Sequence, residues 1–327
     1  MTKAEQLQAI AILVTADFSD HAVGRIERTF RRIGIERADP SLVTQEMRDT
    51  VRGIASFAGV SAAMMDALPN LELIASFGVG YDSVDVGHAA AQNIMVTNTP
   101  DVLTEEVADT AIGLLINTVR DLPRAEIWLR DGSWVRKGNY PLSRLTLRAR
   151  RVGIFGMGRI GQAIARRLAA FGLPVAYHNR RRVEGLPYQY HSTLKGLAEA
   201  VDTLISVAPG GASTQKAVNA EILSALGANG VFVNIGRGST VDEMALAAAL
   251  ADGTIAAAGL DVFADEPNVP KALLDAPNTS LLPHVGSASE HTRRAMADLC
   301  VDNLVSWFSE RRPLTPVPET ANVKPRG

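Results

Sequence analysis

Short apolar runs alternate with helical patterns along nearly the whole chain. Ile10–Val14 is a continuous apolar run and reads as a buried strand, whereas His21–Ile33 carries a helical period with a polar face. Val51–Phe57, Leu73–Phe77 and Ile94–Thr97 are further strand candidates, and Met64–Leu68 a short helix. A long helix is predicted from Thr104 to Arg120, with Glu105 and Glu106 in the first turn, where the dipole favours acids. Asp121–Leu147 contains Trp128 and Trp134 and no strand pattern, so it reads as an excursion from the sheet. Alternation resumes at Val152–Phe155, Val175–Tyr177, Thr203–Val207, Val231–Ile235, Ala256–Leu260 and Ser280–Leu282. Such alternation predicts an α/β protein whose parallel sheets carry helices on both faces. A last helix, Ser289–Phe308, is expected to return to the first domain, and the proline-bearing tail after Arg312 to be extended or disordered.

The 327 residues suffice for two domains, at about 150 residues each. A net charge of −2 gives no general field to attract nucleic acid or a membrane surface. The single cysteine, Cys300, can form no internal disulfide, and no Cys/His spacing suggests a metal site. It falls on an apolar helix face, as a small buried hydrophobe would. Ala9–Val14 is too short to span a bilayer, and no signal peptide is evident, so cytoplasmic residence is expected.

The strand at Val152 runs into Gly156-Met157-Gly158-Arg159-Ile160-Gly161 and then a helical pattern. This is a dinucleotide fingerprint in its proper context: Gly156 permits the turn, Gly158 lets backbone approach a pyrophosphate, and Gly161 lets the helix pack on the strand. The helix N-terminus offers N–H groups and a positive dipole end to phosphates. Roughly 20 residues on, an NAD-preferring site carries an acid for the ribose hydroxyls. Here the chain reads His178-Asn179-Arg180-Arg181-Arg182, with no acid to repel a 2′-phosphate and guanidinium groups to bind one. NADP(H) is the expected cofactor, and hydride transfer the expected chemistry.

Three later strand ends carry reactive residues. Arg237 follows Val231–Ile235 and stands between Gly236 and Gly238, at the carboxyl end where open α/β sheets bind ligands. Its planar guanidinium suits a carboxylate or 2-oxo acid, although an exposed Arg in a turn would look the same. Asp261 follows a small-residue strand, and Glu266 precedes Pro267. His284 ends the next strand and is followed by small residues, a fit for a proton donor. Each alone is weak; the three together are far less readily accidental.

Gly156-x-Gly158-x-x-Gly161, Asn234-Ile-Gly-Arg237-Gly238, Asp261-Val-Phe-x-x-Glu266-Pro267 and Pro283-His284-Val-Gly-Ser resemble, in order, the motifs of the D-2-hydroxyacid dehydrogenase family. The resemblance implies two Rossmann-like or flavodoxin-like domains. Residues 1–100 and 289–327 would form the substrate domain, and 101–288 an inserted nucleotide domain with a dimerisation arm at about 121–147. It implies a homodimer. By motif, Arg237 would hold the substrate, His284 would be the general acid/base, and Glu266 would hydrogen-bond His284 and favour its imidazolium. Asp261 would hold the nicotinamide carboxamide, and Thr104, Val207, Ile235, Gly236 and Gly286 would complete the cofactor site. Ser76-Phe-Gly78-Val79-Gly80-Tyr81 resembles the substrate loop, with Val79 and Gly80 offering backbone N–H groups to a carboxylate.

Within the family, Tyr177-His-Asn-Arg180-Arg181 and Arg130-Asp-Gly-Ser-Trp134 look most like NADPH-dependent glyoxylate/hydroxypyruvate reductases. There an arm tryptophan can enter the partner's pocket; Trp134 is assigned that role, with a tryptophan packed within the arm as the alternative reading and Trp128 as competitor. Larger 2-keto acids such as 2-ketogluconate are an alternative substrate class. A dinucleotide-sensing corepressor or scaffold is the alternative function. Phosphoglycerate oxidation is disfavoured because little chain follows the final helix, and formate oxidation because that branch has Gln where Glu266 stands.

Overall fold

The computed structural model describes residues 2–16 and 18–326. The chain divides into two compact units, one of residues 1–103 with 289–327 and one of residues 104–288.

In the first unit, β1 (Ala11–Thr15), β2 (Arg31–Ile35), β3 (Val51–Ser56), β4 (Leu73–Ser76) and β5 (Met95–Thr97) form one parallel sheet in the order β2-β1-β3-β4-β5. β1 and β4 are buried at every position, which is why they read as unbroken apolar runs. Leu13, Ile54, Ile74 and Val96 join Met64 and Leu68 in the core. The helix Glu290–Glu310 packs on this sheet, with Cys300 buried and its Sγ 3.5 Å from the Ala75 carbonyl oxygen. Gly53 makes the close approach possible, since a Cβ there would stand 2.7 Å from Ile12 Cδ1 and 3.3 Å from Leu304 Cδ2.

One sequence expectation fails in this unit, and another is sharpened. The helix predicted over His21–Ile33 stops at Thr29, and Arg31–Ile35 is an edge strand whose Arg31, Arg32 and Gly34 are exposed. An edge strand with one covered neighbour shows no apolar run, so its alternation passed for a helix's polar face. The tail is ordered as well as extended: Pro316 bridges antiparallel to Thr97, Val317 N–H donates to the Val96 carbonyl at 3.0 Å, and Val317 is buried. Pro316 is tolerated there because β5 is an edge strand, and Pro318 opens a short 3-10 turn, Pro318–Thr320.

In the second unit, β6 (Val152–Phe155), β7 (Val175–His178), β8 (Gln189–His191), β9 (Thr203–Ser206), β10 (Val231–Asn234), β11 (Ala257–Leu260) and β12 (Thr279–Leu281) form a parallel sheet ordered β12-β11-β10-β9-β6-β7-β8. Strand order reverses between β6 and β9, which opens a crevice beyond their carboxyl ends. Six of these strands match sequence candidates. β8, polar and paired only with β7, was not predicted, for the same reason as β2.

The helix Thr104–Arg120 lies against β11, where Gly259 leaves room; a Cβ would meet Thr118 Oγ1 at 2.4 Å. Ion pairs join it to the helix Arg159–Ala170, with Arg167 bridging Glu105 and Asp109 at 2.7 Å each. The excursion holds two helices, Leu122–Arg130 and Ser133–Lys137. Its end is anchored by buried Arg150, which donates to the Asp202 carbonyl, Thr203 Oγ1 and the Asn229 carbonyl at 2.8, 3.0 and 3.1 Å.

Candidate active site

The glycine turn leaves β6 at the topological switch. Gly156 has φ +105°, and a Cβ there would lie 2.8 Å from both Val207 C and Ala208 N. Only glycine fits a left-handed residue pressed against the peptide that follows β9. Gly161 approaches just as closely, 2.1 Å from its would-be Cβ to the Gly156 carbonyl oxygen. At Gly158 the same position is open, with no heavy atom within 4 Å. Gly158 caps the helix Arg159–Ala170 without a side-chain bond, and the positive end of that helix favours an anion. These features fit a pyrophosphate. Val207 and Ile235 border the same carboxyl edge, and Thr104 starts the neighbouring helix.

Asn179, at the end of β7, accepts the Met157 N–H on Oδ1 at 2.6 Å. It ties the second strand's end to the glycine turn with a neutral side chain. Arg180 and Arg181 follow it and are exposed.

Arg237 follows β10 in a loop shaped by Asn234, which is fully buried. Asn234 Oδ1 accepts the Gly236 N–H at 3.1 Å, and its Nδ2 donates to the Arg237 carbonyl at 2.9 Å. Thr240 Oγ1 donates to that carbonyl at 2.7 Å. Arg237's guanidinium is half-buried and donates to the Gly236 carbonyl at 2.8 Å. Sequence reading named the arginine but missed Asn234 as its scaffold, because that role rests on bonds to backbone groups.

β11 and β12 carry the proton chemistry. Asp261 is 1% exposed and accepts the Val285 and Gly286 N–H groups at 2.7 and 2.9 Å, while its carbonyl accepts the His284 N–H at 2.8 Å. Burial pushes its carboxyl above the usual range, against the two N–H bonds that pull it down. Gly286 has no room for a side chain, since a Cβ would lie 2.9 Å from Asp261 Oδ2. Asp261 thus shapes the turn that presents His284, whose φ is +54°. His284 Nδ1 lies 2.6 Å from Glu266 Oε2. An ionised carboxylate only accepts, so Nδ1 carries the proton and Nε2 is the atom turned to chemistry. The other oxygen, Glu266 Oε1, takes the Phe263 N–H at 2.9 Å.

In the first unit, Gly78, Val79 and Gly80 follow β4 and are half-buried. Asn98 Nδ2 donates to the Val79 carbonyl at 2.8 Å, and Thr99 N–H to the Gly78 carbonyl at 2.8 Å, so the loop is fixed from the β5 side. Asn98 was not singled out in the sequence.

In the arm, Trp128 turns inward. It packs edge-on against Tyr140 at 5.7 Å and donates from Nε1 to the Gly138 carbonyl. Trp134 is 56% exposed. A cavity of about 220 Å³ lies among Thr118, Asp121, Tyr140, Leu142, Ala257 and Asn278. It sits at the amino ends of β11 and β12, away from Arg237, Glu266 and His284. Among the described residues no cluster of His, Cys, Asp and Glu could hold a metal ion, and no helix is long and apolar enough to cross a membrane.

Residues 112–286 match the family model of the D-isomer specific 2-hydroxyacid dehydrogenase NAD-binding domain. A solved NADPH-dependent glyoxylate/hydroxypyruvate reductase from Sinorhizobium meliloti, in complex with NADP and malonate, is 62% identical over 98% of this chain and 99% of that one, with a TM-score of 0.96. A glyoxylate/hydroxypyruvate reductase A of Arabidopsis thaliana is 40% identical over 95% of this chain and all of its own length. A 2-ketogluconate reductase of Gluconobacter oxydans is 44% identical over 82% of this chain and 86% of its own. With its glycine turn at the switch point and its His284–Glu266 pair on the same sheet edge, this chain belongs to the D-isomer specific 2-hydroxyacid dehydrogenase family.

Proposed function

We propose that this dehydrogenase uses NADPH to reduce small 2-oxo acids, with glyoxylate and hydroxypyruvate as its first substrates. The observation that carries the reading is the 2.6 Å bond between His284 Nδ1 and Glu266 Oε2, on the sheet edge that also bears Arg237. With Nδ1–H held by a carboxylate, Nε2 gives a proton to the substrate oxygen in reduction and takes it back in oxidation. The carboxylate stabilises the imidazolium by charge. Arg237 grips the carboxylate and the oxo group and stabilises the charge that builds on the oxygen. By the family resemblance, Val79 and Gly80 would offer N–H groups to a carboxylate. When bound, NADPH supplies the hydride for the 2-oxo carbon.

Gly156, Met157, Gly158, Arg159, Ile160 and Gly161 are assigned to the pyrophosphate. Thr104, Val207, Ile235, Gly236, Asp261 and Gly286 are assigned to the rest of the cofactor. Asp261 already spends both oxygens on the 284–286 turn, so its contact with a carboxamide rests on their second lone pairs. The preference for NADPH over NADH rests on Asn179, Arg180 and Arg181. The relative from S. meliloti, described as NADPH-dependent and solved with NADP, supports it.

A homodimer is part of the reading. Of the eleven exposed large hydrophobic residues among those described, six lie in the arm: Leu122, Ile127, Leu129, Trp134, Val135 and Leu142. A second copy is the proposed cover for that surface, with Trp134 entering its pocket. Leu142→Asp should then convert a dimer to a monomer in light scattering; a wild-type monomer would remove this element.

Larger 2-keto acids are a second reading, favoured by the 2-ketogluconate reductase relative. The test of function is steady NADPH consumption with glyoxylate or hydroxypyruvate and its loss in His284→Gln. A protein that binds NADPH but turns over no 2-oxo acid would favour the dinucleotide sensor instead.

A further inference from the structure

The turn that carries Glu266 is held by a second acid. Glu266 Oε1 folds back onto the Phe263 N–H at 2.9 Å, and the next N–H, of Ala264, is taken by Glu243 Oε1 at 2.8 Å. Glu243 is the first residue of the helix Glu243–Ala251 and is half-buried. The segment leading into that helix begins at Arg237. It presses on the same peptide, because a Cβ on Gly238 would stand 1.9 Å from Phe263 C and 2.3 Å from Ala264 N. One short stretch of chain therefore carries the proposed substrate arginine at one end and a clamp on the Glu266 turn at the other.

We propose that Glu243 is a positioning residue for the Glu266–His284 pair, fixing the Phe263–Ala264 peptide on which Glu266 folds and standing beside Glu266 as a second carboxylate. The proposal rests on the reading of His284 as the proton donor. Two carboxylates on adjacent N–H groups can be no more than about 9 Å apart, by bond lengths and backbone spacing. The groups facing Glu243 are Glu266 and Asp265 from the turn, and Asp242 with its Lys216 partner at 3.5 Å from the preceding segment. The surroundings are acidic. Burial raises the Glu243 carboxyl above its usual range and the neighbouring acids add to this, while the Ala264 N–H opposes them. Both the bond and the charge would act on His284 only through Glu266.

The test compares Glu243→Gln and Glu243→Ala, each alone and combined with Glu266→Gln. Glutamine keeps an acceptor for Ala264 and removes the charge. The alkaline limb of the reductive kcat profile should move to lower pH, because a negative charge near the Glu266–His284 pair is gone. Alanine removes both, and kcat should fall about tenfold, with KM for NADPH unmoved. In the Glu266→Gln background, where no carboxylate remains to be aimed at His284, the alanine loss should shrink. Equal losses in both backgrounds with an unmoved limb would overturn the proposal and leave Glu243 a plain structural contact. The His284 imidazole titration, followed by NMR in wild type and Glu243→Gln, gives a readout that needs no turnover. A shifted midpoint supports the proposal even if no 2-oxo acid is reduced, and an unshifted one sinks it even if the enzyme is fully active.

Discussion

Gly238→Ala tests whether the substrate-arginine loop and the Glu266 turn are built as one unit. The added Cβ would stand 1.9 Å from Phe263 C and 2.3 Å from both Phe263 O and Ala264 N. Carbon atoms rest at about 3.5–4.0 Å, so one of the two backbones must retreat by roughly 1.5 Å. The obstacle is main chain on both sides, and no rotamer relieves it. Phe263 N–H is held by Glu266 Oε1 at 2.9 Å, so a displaced peptide carries the carboxylate away from His284, now 2.6 Å off. A misplacement of this order costs about 100-fold in rate. Overpacking costs a further 1–3 kcal/mol of stability, roughly. The glycine turn leaves a different strand and keeps its hold on the pyrophosphate, but Ile235 and Gly236 share the displaced loop, so NADPH affinity should fall by less than kcat does. The assay is NADPH oxidation with saturating glyoxylate, beside a fluorescence titration of NADPH binding and a melting curve. Wild-type kcat in a folded Gly238→Ala protein would refute the coupling of the two loops.

Arg180→Ala with Arg181→Ala should weaken NADPH by about 2–3 kcal/mol, as lost charge-assisted bonds do, and leave NADH little changed; equal losses in KM for both cofactors would sink the 2′-phosphate assignment. Glu266→Gln removes the charge facing His284, so the alkaline fall of reductive kcat should move to lower pH, as a pH–rate profile would read. Burial pushes the Cys300 thiol up to about 12, whereas an unfolded thiol sits near 8.5. Cys300 is therefore protonated in the fold where the unfolded chain ionises, and its contribution to stability is intact below about pH 8.5 and lost as pH climbs towards 12. Iodoacetamide at pH 8.5 should label Cys300 only as fast as the chain unfolds, by mass spectrometry; rapid labelling of native protein would contradict its burial.

Strands buried on both faces were legible because burial favours an apolar run, as in residues 11–14 of β1 and 231–233 of β10. β2 and β8 escaped because edge strands need no such run. Arg237, Glu266 and His284 could be named from motifs, since reactive side chains in that order at successive strand ends seldom arise by chance. Their supports were not legible. Asn234, Glu243 and Asn98 work through bonds to backbone N–H and C=O groups, which leave no side-chain pattern and depend on where loops fold. Gly238 looked like turn chemistry, yet what requires it is the Phe263–Ala264 peptide of a different loop, a contact that nothing in the local sequence displays.

The most direct measurement follows NADPH absorbance at neutral pH with glyoxylate, hydroxypyruvate, pyruvate and 2-ketogluconate, each repeated with NADH. Fast oxidation of NADPH, and slow oxidation of NADH, with glyoxylate or hydroxypyruvate is the expected result. Equal use of both cofactors would contradict the arginine reading, and silence with all four acids despite NADPH binding would contradict the proposed reaction itself.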